Sequence, residues 1–581
     1  MAGNTSATPP AWLPAEAPHR AGCGPAPGQP AKPRSRMGRW RALVLILVHV
    51  AIAARIAHWK LTGSAITPLE PSEAGLAASE GLLTAGFFFF LLLILSTLVL
   101  GRWFCGWGCH VVALQDACGA LLARLGLRPR PLRARLLVWI PAVAALELFL
   151  APALLRLWRG EPWPSLRVHL VTEDFWARFP GPAVALLTLA VCGGVCVWAL
   201  GNKGFCTYAC PYGALFGFAD RFAPGRIRVT DACEGCGHCT AVCSSNVRVH
   251  QEVRRFGMVV DAGCMKCLDC VSACPKEALY FGFGKLPDRS QRRAAEPKRF
   301  DFSLAEELCM LALFVAALYA FRNLYGRVPF LLALALASLT ALGLALLWRL
   351  ARRAELRFQH LTLKRAGRLA PAGFAALVPL LAWPAFSLHS GLLQYEAREG
   401  QRLLIEAGTA EGGARRALVE RASERLLAVD ARRLLSVPDL QHQLGAIELE
   451  LGRAESALAR LERARKEAPR SLAVLDKLAG AQAALGRERE LELSLARGLA
   501  LLADGDGERA EQQAQSLANR AIEALAAHPG AEEPRLLLCW IQALLGDLAT
   551  ARDNAARRAS DAHGADWADL ERFLDQRGLP R

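Results

Sequence analysis

Charge is scarce in this chain, and acid is scarcer than base. Only 21% of its 581 residues are charged while 53% are hydrophobic, and Lys and Arg outnumber Asp and Glu by 69 to 53. So little charge excludes an ordinary soluble protein. The net charge of +16 does not describe a nucleic-acid surface either, because the basic residues sit between apolar blocks and form no stripe. No nucleic-acid partner is expected; a membrane is. The first 40 residues lack a secretory apolar core and are rich in Pro, Ala and Gly, which reads as a disordered tail. The block that begins at Ala42 follows Lys32, Arg34, Arg36, Arg39 and Arg41, and reads as a retained anchor. Catalytic constellations are missing from the C-terminal third, which has few histidines and a single cysteine.

What is present is long apolar runs. Seven of them, at 42–59, 81–101, 136–157, 182–201, 304–322, 328–348 and 371–390, have the length of membrane spans. The last is the weakest, since Pro371, Pro379 and Pro384 interrupt it. The basic segments are 102–135, 202–303 and 349–370, so the positive-inside bias puts these and the N-terminus in the cytoplasm. Residues 391–581 then fall outside, in a periplasm if the cell has two membranes, an outcome that depends on an odd number of spans. The expected localisation is a cytoplasmic (inner) membrane, crossed several times. The expected fold is mainly α: a polytopic helical membrane protein with a small α+β ferredoxin domain and a C-terminal helical repeat domain. Its parts are a tail (1–40), a four-span region (41–224), the ferredoxin domain (225–285), further spans (286–390) and the repeats (391–581).

Eighteen cysteines would suggest disulfides in a secreted protein, but eight of them follow another rule. Cys233-x2-Cys236-x2-Cys239-x3-Cys243 and Cys264-x2-Cys267-x2-Cys270-x3-Cys274-Pro275 have the spacing of bacterial two-cluster ferredoxins. Three thiolates on a tight loop cap three corners of an iron–sulfur cube, and the fourth corner faces away, toward the other half. Cys233, Cys236, Cys239 and Cys274 are therefore assigned to one 4Fe–4S cluster, and Cys264, Cys267, Cys270 and Cys243 to a second. Ser244 replaces the proline expected after Cys243. A zinc site would want two pairs of cysteines, which this register does not supply.

Two further motifs stand just past the second and fourth runs. They are Trp103-Phe104-Cys105-Gly106-Trp107-Gly108-Cys109-His110 and Gly204-Phe205-Cys206-Thr207-Tyr208-Ala209-Cys210-Pro211. Both have Cys-x3-Cys, an aromatic before the first cysteine and an Ala-Leu pair downstream, so the spans read as a repeat of two helical hairpins. Cys105, Cys109, Cys206 and Cys210 are four soft ligands, or redox thiols, or small buried hydrophobes at helix ends. Covalent haem attachment is a further reading, opposed by the extra residue before His110. With these motifs the chain resembles the membrane-bound polyferredoxins of the NapH, NosR and CcoG group over about residues 40–390, with His110 where the first motif has proline. The resemblance implies electron transfer between a quinol pool, or a cytosolic donor, and a respiratory acceptor. Members of the group serve as quinol dehydrogenase subunits or assist the assembly of terminal reductases and oxidases.

A quinol site needs proton acceptors at membrane depth, which directs attention to His49 and Glu147, each mid-span. A quinone is thus an expected second cofactor, with a plain interhelical polar pair as the alternative. From about residue 396 the sequence turns rich in Ala, Leu, Arg and Glu. Leu451-Gly452-Arg453 recurs as Leu485-Gly486-Arg487, with Ala457, Leu461, Ala464 and Pro469 at the offsets of a tetratricopeptide helix and Leu545-Gly546 with Ala551 hinting at another unit. Such repeats would dock a respiratory redox partner or a client protein. The function expected is electron transfer through two 4Fe–4S clusters. The alternative is an assembly factor that reduces a metal or thiol while a respiratory metalloenzyme matures.

Overall fold

A computed structural model of the chain describes residues 36–486 apart from 128, 161, 173–174, 176–180, 246, 289, 292–299, 436 and 468–470, and beyond these residues 519, 522, 532–544, 548–557, 567 and 570–571. The chain forms two compact units, Met1–Gly391 and Leu392–Arg581.

Seven apolar helices begin in the first unit, the last of them running past Gly391: α1 (Met37–Thr62), α2 (Ala85–Leu100), α3 (Leu137–Arg159), α4 (Pro182–Leu200), α5 (Leu304–Phe321), α6 (Phe330–Arg352) and α7 (Pro371–Thr409). Six of them are long and apolar enough to cross a membrane. The exception corrects the expected span at 81–101. Leu82–Thr84 forms a short strand parallel to Arg167–His169, and Thr84 then caps α2 by accepting from the Phe87 amide at 3.3 Å. Only 16 residues are left for α2, about 24 Å of helix against a hydrocarbon layer of about 30 Å. The proline-interrupted run, by contrast, is one continuous helix with Pro379 and Pro384 inside it. Neighbours hold it there: Trp383 stacks on Phe321 of α5 and donates to Thr340 of α6 at 2.8 Å.

α6 is the most enclosed span, with Leu332, Ala333, Leu334, Ala335 and Ala337 without solvent contact. Its alanines let α4 and α5 approach closely. The buried Glu307 of α5 accepts from the Arg135 and Leu136 amides at 2.9 and 2.7 Å, which fixes the start of α3. α3 and α4 each contain a π-turn, at Leu146–Leu150 and Ala190–Val195. The first of these carries Glu147 and the second Cys192.

Between α4 and α5 lies the cysteine-rich module. Strands Arg226–Val229 and Leu279–Gly282 pair antiparallel, with Arg226 opposite Gly282 and Val229 opposite Leu279, and so close the module on itself. Its core is Ile227, Val247, Val249, Val253, Val259 and Leu279, packed around buried cysteines.

The second unit is helical throughout its described residues. Gly412–Arg432, Pro438–Glu450, Ala454–Glu467 and Leu472–Ala484 follow one another, and Glu532–Leu544 and Leu548–Ala556 form a later pair. Gly452 and Gly486, each in a Leu-Gly-Arg triplet of the sequence, both adopt left-handed backbone (φ 78° and 65°) at helix ends, where a side chain would be strained. Ala457, Leu461 and Ala464 are fully buried, and Leu461 fills the space over Gly445. Pro469, Arg487, Leu545 and Gly546 lie outside the described residues.

Candidate iron–sulfur centre

The eight module cysteines line two separate cavities. Cys233, Cys236, Cys239 and Cys274 line one, together with His238, His250 and Leu279. Cys243, Cys264, Cys267 and Cys270 line the other, together with Ser245, Met265 and Leu268. Each cavity takes three cysteines from one half of the module and the fourth from the other half. Among the described residues no three His, Cys, Asp or Glu side chains converge on a single-ion site. A cube, which takes one thiolate at each corner, needs its ligands spread around a cavity in this way. The walls also leave polar atoms for such a group: His238 Nδ1 and Ser245 Oγ are buried without a hydrogen-bond partner. The residues of both cavities fit iron–sulfur clusters. Burial pushes the Cys239 and Cys243 thiols up to about 12, so each gives up a proton when it becomes a ligand.

The two halves use the same loop with different residues. Gly235 and Gly237 of the first are left-handed (φ 70° and 79°), and their counterparts in the second, Lys266 and Leu268, are left-handed as well (φ 50° and 62°). A non-glycine residue in that conformation costs roughly 1 kcal/mol. Lys266 is held there because its buried ammonium donates to Asp220 at 2.8 Å. Asp220 ends the helix Pro211–Asp220, has no solvent exposure, accepts from the Arg102 amide at 3.0 Å and lies 3.7 Å from the guanidinium of Arg226. The second loop is thus pressed onto the chain that follows α2. Trp107 donates to the Lys266 carbonyl at 3.0 Å, and Gly106 lies so close to the Met265 carbonyl that no side chain fits between them. Arg41 of α1 clamps the same loop through Asp269 at 3.2 Å. Among the described residues the first cavity has no such cover, and Cys236 is exposed.

A buried carboxylate stiffens the module and makes it sensitive to pH. Glu252 accepts from the Val260 and Asp261 amides at 2.8 and 3.1 Å, yet burial and the nearby Asp261 charge raise it to about 7. The folded state therefore holds this proton more tightly than the unfolded chain, whose glutamates titrate near 4.3. The stabilisation is complete below about pH 4 and is lost as pH rises to about 7. Between pH 5.5 and 8 the wild-type module should lose about 2 kcal/mol that Glu252→Gln does not lose. Denaturant titrations followed by cluster absorbance check this, and parallel pH profiles would exclude it.

The four cysteines of the Cys-x3-Cys motifs also come together. Cys105 and Cys206 are buried in one core with Phe90, Val112, Phe216 and Met265, against which Cys109 packs. Cys109 and Cys210 interact with each other and with both of these. Cys109 caps the helix His110–Arg124, and Cys210 caps Pro211–Asp220. Their depth differs from that of simple loops beyond the ends of spans, and α1 serves as the ruler. Arg41 pairs with Asp116 at 3.0 Å on the module side; His49, about 12 Å along the axis, interacts with His110; and Arg55, about 9 Å further, donates to the Thr67 carbonyl at 2.7 Å. His110 and its neighbour Cys109 are thus level with the middle of α1, because the chain turns back along α2 after Gly101: Trp103 donates to Ser96 at 3.0 Å and Phe104 meets Phe89 edge-on.

His49 and Glu147 are not joined. Among the described residues no hydrogen bond or ion pair links them: Glu147 pairs with Arg322 at the end of α5, and His49 meets the Leu45 carbonyl at 2.7 Å and faces His110. The polar loop of residues 67–73 between α1 and α2, whose acidic content stands out in the sequence, also reaches this site. Glu70 acts on His110, and Tyr212 faces Glu70, Ser72, Cys109 and Cys210. Sequence reasoning missed Arg102, Gln115, Asp220 and Lys266. A charged residue beside a motif does not reveal its burial, although Arg102 directly before Trp103 was a visible hint.

Comparison with known proteins agrees with this geometry. A family described as a 4Fe-4S dicluster domain matches residues 232–279, and one described as a 4Fe-4S binding domain matches twice, at residues 82–128 and 182–230. The double match is the repeat of the two hairpins. The methylamine utilization ferredoxin-type protein MauN of Methylorubrum extorquens is 30% identical over 26% of this chain and 51% of its own length. The ferredoxin-type protein NapH of Haemophilus influenzae is 26% identical over 33% of this chain and 66% of its own. Protein NirI of Paracoccus denitrificans is 29% identical over 29% of this chain and 24% of its own. The chain spans about half the length of the first curated relatives it matches. No solved structure matches it. The chain thus carries 4Fe–4S ferredoxin domains beside apolar helices, and in this it is similar to membrane-type 4Fe–4S polyferredoxins.

Proposed function

We propose that this protein carries electrons between a quinol pool or cytosolic donor and a respiratory partner, through two 4Fe–4S clusters. Cys233, Cys236, Cys239 and Cys274 would hold one, and Cys243, Cys264, Cys267 and Cys270 the other. The observation that carries the reading is the pair of crossed cavities, one open at Cys236 and one pressed against the helical base. When bound, such clusters supply one-electron exchange without proton transfer, at potentials set by their surroundings. The protein's own residues set those surroundings. Gly235 and Gly237 turn backbone toward the exposed cradle and leave it accessible to a donor. Lys266, Arg41 and Trp107 exclude water from the buried one and fix it to the helices.

The positive-inside bias supports a cytoplasmic face for the module in an inner membrane, with the second unit on the opposite side and α2 crossing a locally thinned bilayer. The helical repeats of that unit would dock the partner. Low-temperature EPR of the purified protein tests the reading, with menaquinol analogue and dithionite applied in parallel. Signals from both clusters with dithionite are expected. Reduction by quinol as well identifies quinol as donor, and reduction by dithionite alone identifies a stronger cytosolic reductant. A protein without 4Fe–4S signals under either reductant excludes the proposal.

A further inference from the structure

We infer that Cys105, Cys109, Cys206 and Cys210 bind a third iron–sulfur cluster, set at mid-depth in the helix bundle. The inference extends the conduit reading above and rests on it for its purpose.

Four thiols from two copies of one motif, Cys105 and Cys206 buried and Cys109 and Cys210 half-buried, are brought together by a repeat whose halves both match a 4Fe-4S binding domain. Their surroundings are built for negative charge. A cube with four thiolates is anionic, and two helices, His110–Arg124 and Pro211–Asp220, begin at Cys109 and Cys210 with their N-termini toward it. Arg102, 7% exposed, directs its guanidinium to Cys105 Sγ at 3.8 Å, and its Nε has no partner. Gln115, 2% exposed, donates to Cys206 Sγ at 3.1 Å, and its Oε1 has no partner. The buried Lys203, which pairs with Asp116, also lies near Cys206. Arg102 also donates to the Ala262 carbonyl at 2.9 Å, and an anionic cluster would answer the polar atoms of Arg102 and Gln115 that remain without a partner.

The position gives the centre a use. Met265, between the ligands Cys264 and Cys267, packs in the same core as Cys105 and Cys206. One electron leaving the neighbouring cluster oxidises it by one and reduces this centre by one, with no bond made or broken. The path then continues from the module toward the middle of α1 instead of ending at the module's surface.

Iron and acid-labile sulfide, counted per chain on full-length protein purified anaerobically, test the inference. About twelve of each are expected, against about eight for the two module clusters alone. Cys105→Ala with Cys206→Ala, and separately Cys109→Ala with Cys210→Ala, should lower both to about eight and retain the module's EPR signals, while Cys118→Ala changes nothing. A wild-type count of about eight overturns the inference and leaves the conduit reading standing, whether the four thiols are then found free or as disulfides. No iron at all overturns both. The wild-type count decides the matter even if the paired variants fail to fold.

Discussion

Replacing Asp220 with alanine should unseat the ferredoxin module, at a cost of about 3–5 kcal/mol. The carboxylate has no solvent exposure and lies between three basic residues: it accepts from Lys266 Nζ at 2.8 Å and from the Arg102 amide at 3.0 Å, and lies 3.7 Å from Arg226. Lys266 and Arg226 are themselves 2% and 1% exposed, so neither can turn to water when its partner goes. The penalty comes from leaving two buried cations uncompensated more than from the loss of hydrogen bonds. Asp220→Asn, which keeps an acceptor but not the charge, should cost less. Asp220→Ala with Lys266→Met should recover part of the loss by removing one of the stranded cations. Denaturation followed through cluster absorbance gives the sizes. An Asp220→Ala protein as stable as wild type would mean that water reaches this site and that the contact does not fasten the module.

Replacing Cys243 with alanine should strip the buried cluster, the one capped by the other half's Cys264, Cys267 and Cys270, and leave the cluster of its own half in place. Cys274→Ala should do the reverse and remove the exposed cluster. Each variant should lose about four iron atoms per chain. The two clusters can be told apart because Cys236 is exposed whereas Cys264, Cys267 and Cys270 are buried. A water-soluble paramagnetic relaxing agent should therefore broaden the signal that survives in Cys243→Ala and leave the one that survives in Cys274→Ala sharp. The opposite pattern would show that each half completes its own cluster. The crossed arrangement follows from the cavities themselves, since Cys274 lines the one with Cys233, Cys236 and Cys239, and Cys243 lines the one with Cys264, Cys267 and Cys270.

Much of this was legible in the residues, and the reason is locality. Three ligands of a cube must lie on one tight loop, so spacing alone separates Cys233, Cys236 and Cys239 from Cys264, Cys267 and Cys270. A span must satisfy its backbone within one helix, so an apolar run announces it, and six of the seven runs became helices of full length. The seventh fell short because Thr84 caps α2 early, a signal that mean hydropathy smooths away. His49 and Glu147 illustrate the opposite case, since among the described residues no hydrogen bond or ion pair joins them. Two polar residues at mid-span say that each needs a partner but not which, and Glu147 found Arg322.

The sequence by itself determined that this is a multi-span membrane protein with iron–sulfur ligands, because helix periodicity and ligand spacing are short-range properties of the chain. Tertiary structure alone decided which cradle faces water, that Lys266 is held against Asp220, and that motif cysteines of both hairpins gather in one core with Met265 of the module. Those outcomes depend on contacts such as Arg102 with Asp220 and Trp107 with Lys266, between segments more than 100 residues apart, where burial and charge compensation act only once the chain has folded.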